Sequence, residues 1–79
     1  MLIMIKRVSQ IINSILANSG RTALLSITPQ TNLRTDVKFD SYDLAELTVI
    51  IQEEFGVDIF ADSPVVTVEE ILKKLEAQE

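Results

Sequence analysis

Residues 40–44 read Asp-Ser-Tyr-Asp-Leu, and they hold the chain's best prospect for chemistry. Asp40 suits the capping position before a helix. Asp43 stands three residues on, where a capping box places its second acceptor. Ser41 then becomes the first helical residue, its hydroxyl lying where a long loop meets a helix N-terminus. Unpaired backbone N–H groups and the positive end of the helix dipole favour an anion there. A phosphodiester joined to the Ser41 hydroxyl would lie in that field. Serine and aspartate at a helix start usually only cap, so the pentapeptide needs support from its surroundings.

Other chemistry is hard to assemble from this chain. It has no histidine and no cysteine, so the commonest general base, the commonest metal ligand, thiolate sites and disulfides are all absent. There is no glycine-rich phosphate loop, and Ser41 has only carboxylates nearby to activate it. The expectation is a protein that is not an enzyme and holds no metal.

Charge narrows the partners. The net charge is −5, and Asp40, Asp43, Glu46, Glu53, Glu54, Asp58 and Asp62 follow one another with no Lys or Arg between them. Such a stretch repels nucleic acid and anionic membranes and attracts basic proteins. Five apolar residues precede Lys6 and Arg7, the reverse of a secretory signal, and no run approaches the length of a membrane span. The expected molecule is cytoplasmic, monomeric and not inserted in a membrane.

The elements that must position Ser41 read clearly. With 79 residues, the chain is expected to form a single domain, 1–79. Val8, Ile11, Ile12, Ile15 and Leu16 recur at helical spacing, and Asn18-Ser19-Gly20 supplies a stop. Residues 19–39 form a long connection that Leu24, Leu25, Ile27, Leu33, Val37 and Phe39 can pin. Leu44, Leu47, Thr48, Ile51 and Phe55 share one face of the second helix, and Gly56 suits its end. Ile50 projects away from that face, toward the long connection. Residues 57–64 read as an extended link with one short helical turn. Thr67-Val68-Glu69-Glu70 is a capping box, with Val66 and Ile71 placed for a hydrophobic staple. Val68, Ile71, Leu72 and Leu75 form the last stripe, and Lys73 and Lys74 suit the helix's negative end. Three main helices with one apolar stripe each predict an all-α bundle around a shared core.

The outer face of the second helix is also patterned. Tyr42, Glu46, Val49 and Glu53 are spaced by four, three and four residues and form one stripe opposite the core. A charged stripe is commonly a solvated face. Tyr42 and Val49 make this one less ordinary, because apolar groups gain nothing from facing water.

Residues 40–47, Asp-Ser-Tyr-Asp-Leu-Ala-Glu-Leu, are followed by Gln52-Glu53-Glu54-Phe55-Gly56-Val57-Asp58-Ile59 and later by Thr67-Val68. In order and spacing, over nearly the whole chain, this resembles the acyl carrier protein family. The resemblance implies a four-helix bundle, three main helices plus a short third helix around Phe60 to Pro64. It implies that Ser41, flanked by Asp40 and Tyr42, receives 4′-phosphopantetheine from coenzyme A through a phosphopantetheinyl transferase. The arm's thiol would carry acyl groups as thioesters between enzymes of fatty-acid, lipid or polyketide-type synthesis. Leu47, Ile51, Ile59 and Ile71 would line the interior that shelters a chain. Asp40, Asp43, Glu46 and Glu53 match family positions that meet basic docking surfaces of partner enzymes, and Val49 shares that face.

The chain departs from the family pattern at several places. Tyr42 stands where Leu, Ile or Met is usual. Lys38-Phe39 replaces small residues, Gln52 replaces an acid, and the segment from Ile59 to Thr67 is short. These features suit a specialised carrier with few partners. A close alternative is an aminoacyl or D-alanyl carrier served by an adenylating ligase, where an aromatic residue after the serine also occurs. A helical adaptor that only binds proteins is the alternative from another class, and mass measurement separates it, since an adaptor gains no prosthetic group.

Overall fold

Helices form where the apolar residues recur at helical spacing. A computed structural model describes residues 2–60 and 64–77, and shows α1 (Leu2–Asn18), α2 (Ser41–Phe55) and α3 (Val68–Glu76). Among the described residues there is no strand, and the only β-type pairing is an isolated antiparallel bridge between Asn32 and Thr67. The fold is therefore small and all-helical, with α1 packed against both α2 and α3.

Each helix buries the face its sequence announces. Val8, Ile11, Ile12, Ile15 and Leu16 of α1, Leu47 and Ile51 of α2, and Val68, Ile71, Leu72 and Leu75 of α3 close on one core. Two fully buried residues come from outside the helices, Leu33 in the long connection and Ile59 in the link after α2. Full burial of one such side chain stabilises by about 1.5–3 kcal/mol. The connections are therefore part of the core and not ties around it. Ile50, Leu44 and Phe55 pack at its margin.

The end of α1 sets the path of the chain toward the site. Gly20 has φ 78°, the left-handed conformation that most side chains resist. The Gly20 N–H donates to the Ala17 carbonyl at 3.1 Å and the Arg21 N–H to the Leu16 carbonyl at 2.8 Å. This crossed pair is a Schellman ending, and it fixes where Arg21 leaves the helix. Gly56, φ 73°, closes α2 in the same backbone region, its N–H donating to the Gln52 carbonyl at 2.9 Å.

The long connection is stitched to α3. The Leu33 N–H donates to the Val66 carbonyl at 2.7 Å, the Val68 N–H to the Thr31 carbonyl at 3.0 Å, and the Glu69 N–H to the Pro29 carbonyl at 2.8 Å. Asn32 Oδ1 accepts from the Arg34 and Thr35 N–H groups and forms the turn between. Asn13 adds a two-way link to Leu24, accepting its N–H and donating to its carbonyl.

Two sequence expectations are corrected here. Leu25 does not pin the connection; its side chain is fully exposed, while Leu33, Val37 and Phe39 are buried. Val66 is exposed and Val65 is the buried residue before α3, because Val66 turns its backbone to Leu33 and Glu70. The short third helix expected around Phe60 to Pro64 includes residues 61–63, which lie outside the described residues. Just before them, Asp58 Oδ1 accepts the Phe60 N–H in a turn.

Candidate functional site

Ser41 stands where the sequence predicts, as the first residue of α2. Asp40 is extended and accepts the Asp43 N–H on Oδ1 at 2.9 Å, while Asp43 Oδ2 accepts the Asp40 N–H at 3.0 Å. This reciprocal box pins the backbone on both sides of Ser41 and satisfies two N–H groups that a bare helix start leaves open. Neither the Ser41 nor the Tyr42 N–H meets an acceptor among the described residues. By contrast, the first three N–H groups of α3 are met by Thr31, Pro29 and Thr67. The Ser41 side chain is exposed and has no hydrogen-bond partner among the described residues. A free hydroxyl beside two open N–H groups suits a covalent phosphoryl-type attachment.

Arg21 completes the site, and it comes from the start of the long connection. Its Nη2 donates to Asp43 Oδ1 at 2.7 Å. Its Nη1 reaches the Lys38 carbonyl at 3.5 Å, and its guanidinium lies 5.8 Å from the Phe39 ring centroid. That distance is within cation–π range. Lys38, just beyond, has φ 64°, an uncommon conformation for a side-chain-bearing residue. The Arg21 bond, with a further bond from the Asp40 N–H, holds the Asp43 carboxyl below the usual carboxylate range, against the opposing effect of burial.

The structure sorts the predicted site residues into two groups. Asp40 and Asp43 belong to the platform under Ser41. Asp43 is only 8% exposed, and both its oxygens are engaged within the chain, so it turns inward from the outer stripe. Its place among the partner-facing residues is thereby corrected: its spacing from Asp40 makes it an internal acceptor. Tyr42, Glu46, Val49 and Glu53 do face solvent, Tyr42 at 86% and Val49 at 54%. Glu46 and Glu53 make no ion pair among the described residues. Glu54 is different, since Arg7 of α1 grips both its oxygens at 2.5 and 2.6 Å.

Sequence reasoning missed Arg21 and Arg7. Their partners lie 22 and 47 positions away, and no local pattern announces either pair. The one available signal was the placement of Arg21 straight after the Gly20 stop.

No group of acids among the described residues is arranged to hold a metal ion. No described helix is long and apolar enough to cross a membrane. The structure thus presents a small helical domain with an exposed serine on a capped helix start. The chain matches the family described as the phosphopantetheine attachment site over residues 6–64, three quarters of its length, and it belongs to that family. Domains of this family carry a covalent 4′-phosphopantetheine group and are carriers, not catalysts. A comparison with curated proteins finds no match.

Proposed function

We propose that the chain is an acyl carrier protein whose 4′-phosphopantetheine arm is joined to Ser41. The observation that carries this reading is the exposed Ser41 hydroxyl at the first position of α2, beside two unclaimed N–H groups. A phosphopantetheinyl transferase joins Ser41 Oγ to the phosphorus of coenzyme A's phosphopantetheine, cleaving the pyrophosphate bond and releasing adenosine 3′,5′-bisphosphate. The serine proton leaves to a base of that enzyme, since this chain has no histidine to take it. When attached, the group supplies a thiol that holds acyl cargo as a thioester. Asp40 and Tyr42 flank the joint. The serine lies next to the acidic stripe, so one partner face serves both the transferase and the acyl-transferring or condensing enzymes.

The partner face is Glu46, Val49 and Glu53, with Tyr42 at its upper end. It offers unpaired acids and exposed apolar groups together, which suits a basic enzyme surface with an apolar centre. The same proposal takes 1–79 as one carrier domain. An exposed aromatic residue directly after the serine favours a second reading, an aminoacyl carrier loaded by an adenylating ligase. The cargo mass on protein from its host separates the two.

The test of the attachment is intact mass after incubation with coenzyme A and a broad-specificity transferase. Wild type should gain one phosphopantetheine group. Ser41→Ala should gain none and keep its helical signal. A wild type left unmodified by several such transferases, or a modified Ser41→Ala, removes the proposal.

A further inference from the structure

The start of α2 is crowded with charge of one sign. Asp40 and Asp43 flank Ser41 on either side, and a phosphodiester on Ser41 would be a third anion within the same helical turn. Arg21 is the cation that contacts this turn, and Lys38 is the basic residue nearest Ser41 in sequence. Lys38 is exposed on the loop, whereas Arg21 is fastened to the platform at three places: the Asp43 carboxylate, the Lys38 carbonyl and the Phe39 ring. These contacts lie before and after Ser41 in sequence, so Arg21 spans the attachment point.

Arg21 is held there by the end of α1. Gly20 has open space where a side chain would project, so its role is conformational: the left-handed turn aims the next residue at α2. The C-terminus of one helix thus delivers a cation to the N-terminus of another. Two other features point the same way. The Asp43 carboxyl faces inward at 8% exposure, where an unneutralised charge is costly. The guanidinium is also raised above its ordinary pKa, by the hydrogen bond to Asp43 first and with a further contribution from the charge on Asp40.

We infer that Arg21 is a positioning residue for the modified serine, the resident counter-ion that lets the start of α2 bear a phosphodiester beside Asp40 and Asp43. This rests on the attachment to Ser41. Without Arg21, modification sets three anions together with only the solvated Lys38 to oppose them. With Arg21 in place, Asp43 is neutralised before the arm arrives, and the helix dipole and the open N–H groups act on the phosphodiester alone. The guanidinium is required in its fork geometry, since a lysine could not hold a carboxylate, a carbonyl and a ring face together.

The experiment compares thermal midpoints of unmodified and phosphopantetheinylated protein at low salt, for wild type, Arg21→Gln, Asp43→Asn and the double variant. The readout is the change caused by modification, from which any general loss of stability cancels. In Arg21→Gln, modification should lower the midpoint by roughly 4 °C or more beyond its effect in wild type. In Asp43→Asn, where the charge of Arg21 is no longer offset by Asp43 and can act on the arm, the change should shift in the opposite direction. The double variant removes one charge of each sign and should return to the wild-type change. A role confined to structure moves every midpoint but leaves these differences equal, and equal differences across the four proteins overturn the inference while the attachment stands. A wild type that gains no group defeats the attachment reading, and the inference falls with it. Should Arg21→Gln fail to fold, an unshifted difference in Asp43→Asn is sufficient to overturn the inference.

Discussion

Reversing Glu46 and Glu53 to lysine tests the partner face directly. The two residues lie seven apart on α2, about 10 Å along the axis at 1.5 Å per residue. Neither is paired within the chain, so the substitutions break no bond among the described residues. Lysine at position 53, in the last turn of α2, even complements the helix dipole. Each reversal changes the charge by two, so the net charge moves from −5 to −1. An exposed ion pair with a partner is worth about 0.2–1 kcal/mol. A reversal removes that attraction and adds a comparable repulsion, so two sites change the encounter by roughly 1–4 kcal/mol. At about 1.4 kcal/mol per decade, association with a phosphopantetheinyl transferase should slow by about five- to several-hundredfold at low salt. At about 10 mM salt the screening length is near 30 Å and both charges act together; at about 1 M it is near 3 Å and the difference should largely close. Val49→Ala removes packing without charge. It should act mainly on dissociation, by roughly fivefold for about 1 kcal/mol of lost apolar burial. Association and dissociation rates for the three proteins at the two salt concentrations, after equal helicity is confirmed, decide the matter. Equal association rates for wild type and the double reversal at low salt would falsify a steering role for this face.

Two further outcomes concern stability. Thr67 Oγ1 accepts the Glu70 N–H at a long 3.4 Å, whereas Glu70 Oε1 accepts the Val66 and Thr67 N–H groups at 2.9 Å each. Thr67→Ala should therefore cost only about 0.5–1 kcal/mol, the low part of the range for caps, seen as a drop of roughly 2–8 °C in thermal midpoint; Glu70→Ala should cost more, and the reverse ranking would refute this reading of the cap. Asp43, Glu54 and Glu70 are all held below the ordinary carboxylate range, by Arg21, by Arg7, and by the Val66 and Thr67 N–H groups respectively. Their contribution is fully present above about pH 4, the unfolded value, and declines as pH falls through the lower folded values, so the midpoint should hold from neutrality to about pH 5 and fall below pH 4. A midpoint that stays level into that acid range would show these contacts to be idle.

Most of the fold was legible because its signals are local. Asp40 with Asp43 and Thr67 with Glu70 each lie within four residues, and Gly20 and Gly56 stand where left-handed helix ends require them. The inward stripes obey helical spacing, so the core residues of all three helices follow from sequence. The place of Ser41 as the first residue of α2 was legible for the same reason, being next to its cap. The failures are long-range. Asp43 reads as one acid in an outward-facing series until Arg21, 22 residues earlier, is seen to neutralise it. Arg7 withdraws Glu54 from the same series across the helix interface. A stretch that looks uniformly acidic in one dimension is thus partly discharged in three. Leu25 and Val66 failed differently: apolar residues in a loop carry no periodicity, so their direction depends on backbone bonds that only the folded chain specifies.

The stitching of the long connection to α3 bears on how this molecule comes apart. The first two N–H groups of α3 end on the Thr31 and Pro29 carbonyls, and the Leu33 N–H ends on Val66. A helix of nine residues is too short to persist alone in water. The connection therefore supplies the donors' partners that let α3 begin, and α3 in turn holds the connection closed over Leu33. Neither can open without exposing the other, so the two form a single cooperative unit that exchanges its amide protons in concert. The site-bearing helix α2 draws none of its caps from this unit. The platform is nonetheless joined to it, because Phe39, which Arg21 covers, donates its N–H to the Leu33 carbonyl at 2.9 Å.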